Sequence, residues 1–188
     1  LSDKTAIASI MWANNETGTI NPVIDLAELA KGAGALFHTD AVQAVGKVPL
    51  DLKWTPIDML SLSGHKLHGP KGIGALYVKR GVRFKSLMKG GHQERGRRAG
   101  TENVPGIVGF GKAAELAQQE FESHVSKLKD LRDYFIGQVT SKIDNVHVNG
   151  SMPHRHPGNA NITFEYIEGE AILLMLNAKG IYVSTGSA

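Results

Sequence analysis

Apolar residues in the first half of the chain gather in short runs set between polar, glycine-containing turns. Residues 5–12 form one such run, flanked by polar positions, which predicts a strand buried on both faces. It ends in Asn14-Asn15-Glu16-Thr17-Gly18, a turn-forming cluster. A helical period follows, with Asp25 as N-cap and Gly32 or Gly34 near its C-terminus. Further strands are predicted at 36–39 running into Asp40, at 59–63 and at 73–78. Short apolar strands separated by a helix and by loops predict an α/β layer with a largely parallel sheet.

After residue 105 the period changes. Phe121, Val125, Leu128, Leu131 or Arg132, Phe135, Val139 and Ile143 recur at intervals of three and four, the pattern of one long amphipathic helix. That helix is expected to begin just after Pro105 and to cross Gly106, Gly109 and Gly111 where another element packs closely. Residues 146–150 and 161–166 read as strands, and 168–179 as a helix ended by Gly180. A domain change falls near residues 120–145, with the long helix as the bridge.

Composition narrows the chemistry. The 188 residues contain no Cys, so they supply no disulfide, no thiolate metal ligands and no thiol nucleophile. Hydrophobic residues make up 41% and charged residues 21%, as in ordinary globular domains. No apolar run reaches the length of a membrane-spanning helix. The chain starts at Leu1 and runs out from an apolar stretch into a small-residue turn, so it reads as a segment of something longer.

Charge is uneven. The window 79–98 holds eight basic residues against the single acid Glu94, a net +7 within a chain of net +3, so the rest is net −4. A basic loop of this kind suits phosphate or an acidic partner protein. It lacks the interleaved aromatics of a single-strand binder, having only Phe84 and nearby Tyr77, so no nucleic-acid partner is expected.

Three predicted strand ends carry polar groups. The strand at 59–63 emerges into Ser63-Gly64-His65-Lys66 and then a Gly/Pro-rich loop to Gly72. In an open α/β sheet, ligands sit at the carboxyl ends of strands. A Lys there neutralises a phosphate, serves as an amine nucleophile, or merely reaches water. At the second end, Asp40 either holds a positive charge in the site or caps the helical turn 41–45. The Asn14–Gly18 cluster contacts a ligand or forms an Asx turn. Three different polar strand ends argue for one shared site. His154, His156 and His92 lack the spacing of a preformed metal site, and none is expected. His38 and His68 read as supporting or core groups.

Ser63-Gly64-His65-Lys66, followed after five residues by Gly72-Ile73-Gly74-Ala75-Leu76, resembles the cofactor-lysine signature of class V aminotransferases. With Asn14-Asn15-Glu16-Thr17-Gly18, residues 38–43 and residues 90–101, the resemblance narrows to the cysteine desulfurases. Residues 12–18 and 93–103 are most similar to the nitrogen-fixation (NifS) type. The resemblance spans the whole chain, which corresponds to the middle half of a family member.

It implies a pyridoxal 5'-phosphate-dependent transferase of fold type I, α/β, in which residues 1–120 are the C-terminal part of the large cofactor-binding domain. Residues 121–145 are then the bridging long helix and 146–188 the beginning of a small α+β domain. The implied activity converts L-cysteine to L-alanine and passes sulfur as an enzyme persulfide towards iron–sulfur cluster assembly. By position, Lys66 would hold the cofactor covalently, and its amine would serve as general base and acid. Asp40 would pair with the pyridinium nitrogen, while Gln43 and Asn15 would contact the ring oxygen. Ser63 and His65 would bind the cofactor phosphate, and Thr101 would reach the phosphate of the other subunit. The resemblance implies a cytoplasmic homodimer with an iron–sulfur scaffold protein as sulfur acceptor, and no membrane partner.

Several family features fall outside the 188 residues. Ser184-Thr185-Gly186-Ser187-Ala188 resembles the stretch before the sulfur-accepting Cys, and the chain stops one residue short of it. The Gly-Thr phosphate loop, the His that stacks on the ring and the Arg for the substrate carboxylate are not in the sequence either. The rival readings are a selenocysteine lyase or another class V enzyme, and a segment that performs no chemistry.

Overall fold

The short apolar runs of the first half become four strands: β1 Ile7–Met11, β2 Leu36–Asp40, β3 Met59–Ser63 and β4 Gly74–Val78. In the computed structural model, which describes residues 1–186, they form one sheet in the order β1-β2-β3-β4. The pairs β1–β2 and β2–β3 are parallel, whereas β4 runs antiparallel to β3. The largely parallel expectation therefore holds for two of the three pairings. The loop of residues 64–73 is too short for the crossover that a parallel return needs, so β4 folds straight back on β3.

The register sorts the side chains. Ser9, His38 and Met59 share one rung, and Met11, Asp40, Ser61 and Leu76 share the next. Alternation puts these on one face and Phe37, Thr39 and Leu60, all fully buried, on the other. β1 differs from expectation: Ile7 and Ser9 are exposed, so the strand is not buried on both faces. Its apolar run is continuous, but only β2 flanks it within the sheet.

The first of two compact units comprises Leu1–Ala13 with Asn21–Phe121. Its helix α1, Val23–Gly32, packs along β1 and β2 and buries Val23, Ala27 and Ala30. Pro22, not Asp25, occupies the N-cap position; Asp25 falls in the first turn, where its carboxylate complements the helix dipole. Pro22 sets the earlier start, because its ring fixes a near-helical φ and it has no N–H to satisfy. A short helical turn α2, Gln93–Gly96, interrupts the basic loop, with Glu94 and Arg95 at positive φ. The helix α3, Val104–Gln119, is capped by Asn103, whose Oδ1 accepts the Gly106 N–H at 3.1 Å. Gly109 lets Pro70 approach so closely that a methyl group there would stand 2.7 Å from Pro70 Cγ; Gly111, expected to do the same, faces open space.

The expected single long helix is two. Glu120 (φ −96°, ψ 3°) separates α3 from α4, Phe121–Lys142. The inward stripe of α4 also departs from the expected one. Arg132 takes the inner position that Leu131 competes for, and Ile136 is buried while Phe135 is half-exposed.

The second unit comprises Asn14–Ile20 and the chain from Glu122 onward. Its two strands, β5 Val146–Val148 and β6 Ile162–Phe164, are antiparallel, and α5, Gly169–Asn177, follows. The unit is held by polar anchors more than by an apolar core. Arg132 Nη1 donates to the carbonyls of Arg155 and His156 at 3.4 and 3.1 Å. Arg155 is buried and donates to the Ser151 and Asn149 carbonyls and to Asn159 Oδ1. The 153–158 loop, which carries His154 and His156 between Pro and Gly residues, is thus a packed hub. Ser187 and Ala188, the end of the stretch compared with the sulfur-accepting loop, lie outside the described residues. Among the described residues, no helix is long and apolar enough to cross a membrane, and no three His, Asp or Glu side chains gather to hold a metal ion.

Candidate active site

Because β1, β2 and β3 run in the same direction, their carboxyl ends open on the same edge of the sheet. Asp40 closes β2, and its strand partner in β3 is Ser61, two residues before Ser63. The Ala41 N–H donates to the Ser61 carbonyl at 2.9 Å, which fixes the exit of β2 against β3. Asp40 Oδ1 accepts the Val42 N–H at 2.8 Å, so Asp40 does cap the turn that follows it. Its Oδ2 has no hydrogen-bond partner among the described residues. The two readings of Asp40 are therefore compatible: one oxygen caps and the other is left without a hydrogen bond among the described residues. Gln43 follows in the same turn, half-buried.

From Ser63 the chain enters a 3-10 turn, Gly64–Leu67, which carries Lys66. Close contacts on both sides hold this turn. The Gly64 N–H donates to the Ile73 carbonyl at 2.9 Å, and the Gly69 N–H returns to the Gly64 carbonyl at 3.0 Å. A methyl group at Gly64 would stand 2.9 Å from Ile73 Cγ2 and 3.2 Å from Phe110 Cδ2 of α3, so only glycine fits there unstrained. His68 ends the turn in the left-handed region (φ 61°), and Leu67 is buried.

Ser63 Oγ and His65 Nδ1 lie 2.7 Å apart, on either side of Gly64. The Lys66 side chain is half-buried, and its Nζ has no hydrogen-bond or ion-pair partner among the described residues. A second lysine approaches from the turn after β2: Lys47 Nζ donates to the Lys66 carbonyl at 3.0 Å. Burial, and after it the charge of Lys66, lowers the Lys47 pKa below the ordinary lysine value.

Asp40, Gln43, Ser63, His65 and Lys66 are thus placed on one edge of the first unit. Thr101 is in the same unit, on the exposed loop before α3, where Arg98 Nη1 ties the Gly100 and Thr101 carbonyls at 2.9 and 3.2 Å. No hydrogen bond joins Thr101 to the other five among the described residues. Asn15 belongs to the second unit. Its Nδ2 donates to Glu16 Oε1 at 3.0 Å, and Asn159 Nδ2 holds the carbonyls of Asn15 and Glu16 at 3.4 and 3.0 Å.

Sequence reasoning missed Lys47, which sits outside every motif and whose only signal is a cation seven residues after Asp40. It also missed the Ser9 Oγ to His38 Nδ1 hydrogen bond of 2.7 Å, which joins β1 to β2 on the site's face.

The donor set fits pyridoxal phosphate. It offers an unpaired primary amine for the aldehyde carbon, a carboxylate oxygen for the pyridinium N–H, and a hydroxyl and an imidazole for phosphate oxygens.

The sequence model described as Aminotransferase class-V matches residues 1–188. A cysteine desulfurase of Gluconacetobacter diazotrophicus is 63% identical over the whole chain, and the cysteine desulfurase NifS of Azotobacter vinelandii is 57% identical. In both cases the chain covers 47% of the relative, so it spans about half the length of the curated relatives it matches. Among solved structures, a NifS-like protein superposes with a TM-score of 0.94 at 39% identity, covering 99% of this chain and 51% of that one. With the whole chain matched and its fold and cofactor-type donor set in agreement, the chain belongs to the class V aminotransferase family of pyridoxal-phosphate-dependent enzymes.

Proposed function

We propose that these residues are the cofactor-binding core of a cysteine desulfurase that converts L-cysteine to L-alanine and delivers the sulfur as a persulfide for iron–sulfur cluster assembly. The observation that carries the reading is Lys66: a half-buried amine without a polar partner, held in a glycine-clamped turn at a strand end, one residue beyond the Ser63–His65 pair. The names of the relatives at 57–63% identity point to the same activity.

Pyridoxal phosphate, when bound, supplies an electron sink that eases loss of a proton from the substrate carbon next to the carboxylate. The chain's own residues do the rest. Asp40 Oδ2 would keep the pyridine nitrogen protonated, with its carboxylate braced through Oδ1 on the Val42 N–H. Ser63 Oγ and His65 would orient the phosphate, and Gln43 would contact the ring oxygen. Lys66 Nζ would hold the cofactor and, when substrate displaces it, carry protons as base and acid. These 188 residues contain no Cys, so in this reading they do not themselves supply the thiol that accepts sulfur.

In the same reading residues 1–120 belong to the large domain and 146–188 begin the small one. The enzyme is a cytoplasmic homodimer serving an iron–sulfur scaffold protein, in a nitrogen-fixation setting, with Thr101 on its exposed loop reaching the phosphate in the second subunit.

The test uses the full-length enzyme. Borohydride reduction followed by peptide mass analysis is expected to find the pyridoxyl group on Lys66, and Lys66→Ala to abolish both this label and alanine formation from L-cysteine. A label elsewhere, or turnover of selenocysteine without cysteine, overturns the assignment.

A further inference from the structure

We propose that Lys47 is a positioning residue for Lys66: its ammonium pins the Lys66 main-chain carbonyl and so fixes the turn from which the Lys66 amine projects. The proposal rests on the reading of Lys66 as the cofactor lysine.

The geometry comes from the 3-10 turn. The Gly64 carbonyl is satisfied from within the turn and its cap, by the His68 and Gly69 N–H groups four and five residues on. Lys66, near the end of the turn, receives its partner from outside it, the Lys47 ammonium at 3.0 Å, nineteen residues earlier in the sequence. Lys47 is itself anchored, because the turn after β2 returns on its own backbone: the Lys47 N–H donates to the Ala44 carbonyl at 3.0 Å. Next to it, Gly46 packs so tightly on Leu67 that a methyl group there would stand 2.7 Å from Leu67 Cδ2. Asp40 and Lys66 are thereby linked through one rigid path, since the turn that Asp40 caps ends in the residue that holds Lys66.

Pinning a carbonyl needs only a donor, and a neutral amide would supply one without burying a charge. The fold instead places an ammonium on the main-chain carbonyl of Lys66. The Lys47 pKa is lowered by burial and then by Lys66, so the two side chains feel each other electrostatically. Neither has a carboxylate in an ion pair among the described residues. Lys47 is the tethered partner, and Lys66 is the free one.

The experiment uses the full-length enzyme with cofactor removed. With 13C-labelled lysine side chains, the Lys47 titration midpoint is expected to lie below the ordinary lysine value and to rise in Lys66→Met. Stopped-flow capture of pyridoxal phosphate, followed by borohydride trapping, reads the positioning. Lys47→Met is expected to slow covalent capture at Lys66 about tenfold at saturating cofactor, as for loss of a charged hydrogen bond. Lys47→Arg, which keeps donor and charge, is expected to restore it, and both variants are expected to unfold in one cooperative transition, which shows that the fold is kept. Capture by Lys47→Met at the wild-type rate, or a Lys47 midpoint unmoved by Lys66→Met, overturns the role of Lys47 alone. A wild-type protein that traps cofactor at a residue other than Lys66 overturns the cofactor reading, and the role with it.

Discussion

Ser63 Oγ meets His65 Nδ1 at 2.7 Å across Gly64, so the last residue of β3 and the second of the 3-10 turn act as one unit. The bond fixes the imidazole with Nε2 directed away from the serine, and in the proposed reading the hydroxyl and the ring are two neighbouring groups for the cofactor phosphate.

Coupled groups lose their function together. Ser63→Ala and His65→Ala are each expected to weaken pyridoxal phosphate binding to the full-length enzyme about tenfold, measured by absorbance titration. The double variant is expected to lose much less than the product, because each single change already disorients the other partner. Strictly multiplicative losses would show that the two side chains act independently.

Opposite Ser63 in the sheet stands Gly74, where a methyl group would fall 2.6 Å from the Leu62 carbonyl oxygen. That oxygen belongs to backbone and cannot move aside as a side-chain tip would. Gly74→Ala is therefore expected to push β4 from β3, destabilising the protein by about 1–3 kcal/mol in urea unfolding. Because Ile73 anchors Gly64, the same change is expected to weaken cofactor binding. Gly111→Ala, at a position facing open space, is the matched control and is expected to be neutral or slightly stabilising.

The strand ends and the Lys66 turn were legible in sequence because their signals are local: a short apolar run, then small and polar residues within four positions. β3 has the predicted bounds, and Asp40 ends β2 as predicted. What sequence did not show depends on distant partners. The break at Glu120 carries no Gly or Pro, and the same 3.6-residue period continues on both sides of it. On α4 the apolar Phe135 loses the inner position to Ile136, because Arg132, one turn earlier, is drawn inward by the carbonyls of Arg155 and His156. Lys47 looks like any surface lysine until the fold brings the Lys66 carbonyl to it.

Arg155 makes the second unit sensitive to a single charge-conserving change. Its guanidinium serves three acceptors at once, the Ser151 and Asn149 carbonyls and Asn159 Oδ1, from a buried position. Arg155→Met leaves all three unpaired and is expected to cost about 3 kcal/mol in urea unfolding. Arg155→Lys is expected to recover little of this, because an ammonium lacks the planar fork that spans separated acceptors. Since Asn159 also holds the Asn15 and Glu16 carbonyls, amide exchange at residues 15–18 is expected to quicken in both variants.

Lys47 gives the protein a pH dependence on the alkaline side. Its pKa in the fold is lowered from 10.5, first by burial and then by the charge of Lys66. The folded protein therefore releases this proton at a lower pH than the unfolded chain does. Between the two values the unfolded state binds more protons, so stability gains with rising pH across that window, while below it this group contributes no slope. Comparison with Lys47→Met isolates the effect, since methionine does not titrate and fills a similar volume. The stability of wild type minus that of Lys47→Met, from urea unfolding of the full-length protein, is expected to rise from neutral pH towards 10.5. Lys47→Arg stays charged throughout, so its difference from Lys47→Met is expected to remain level over the same range. A wild-type difference that is flat or falls with pH would mean that the Lys47 ammonium is not disfavoured in the fold, and that the carbonyl of Lys66 repays its burial in full.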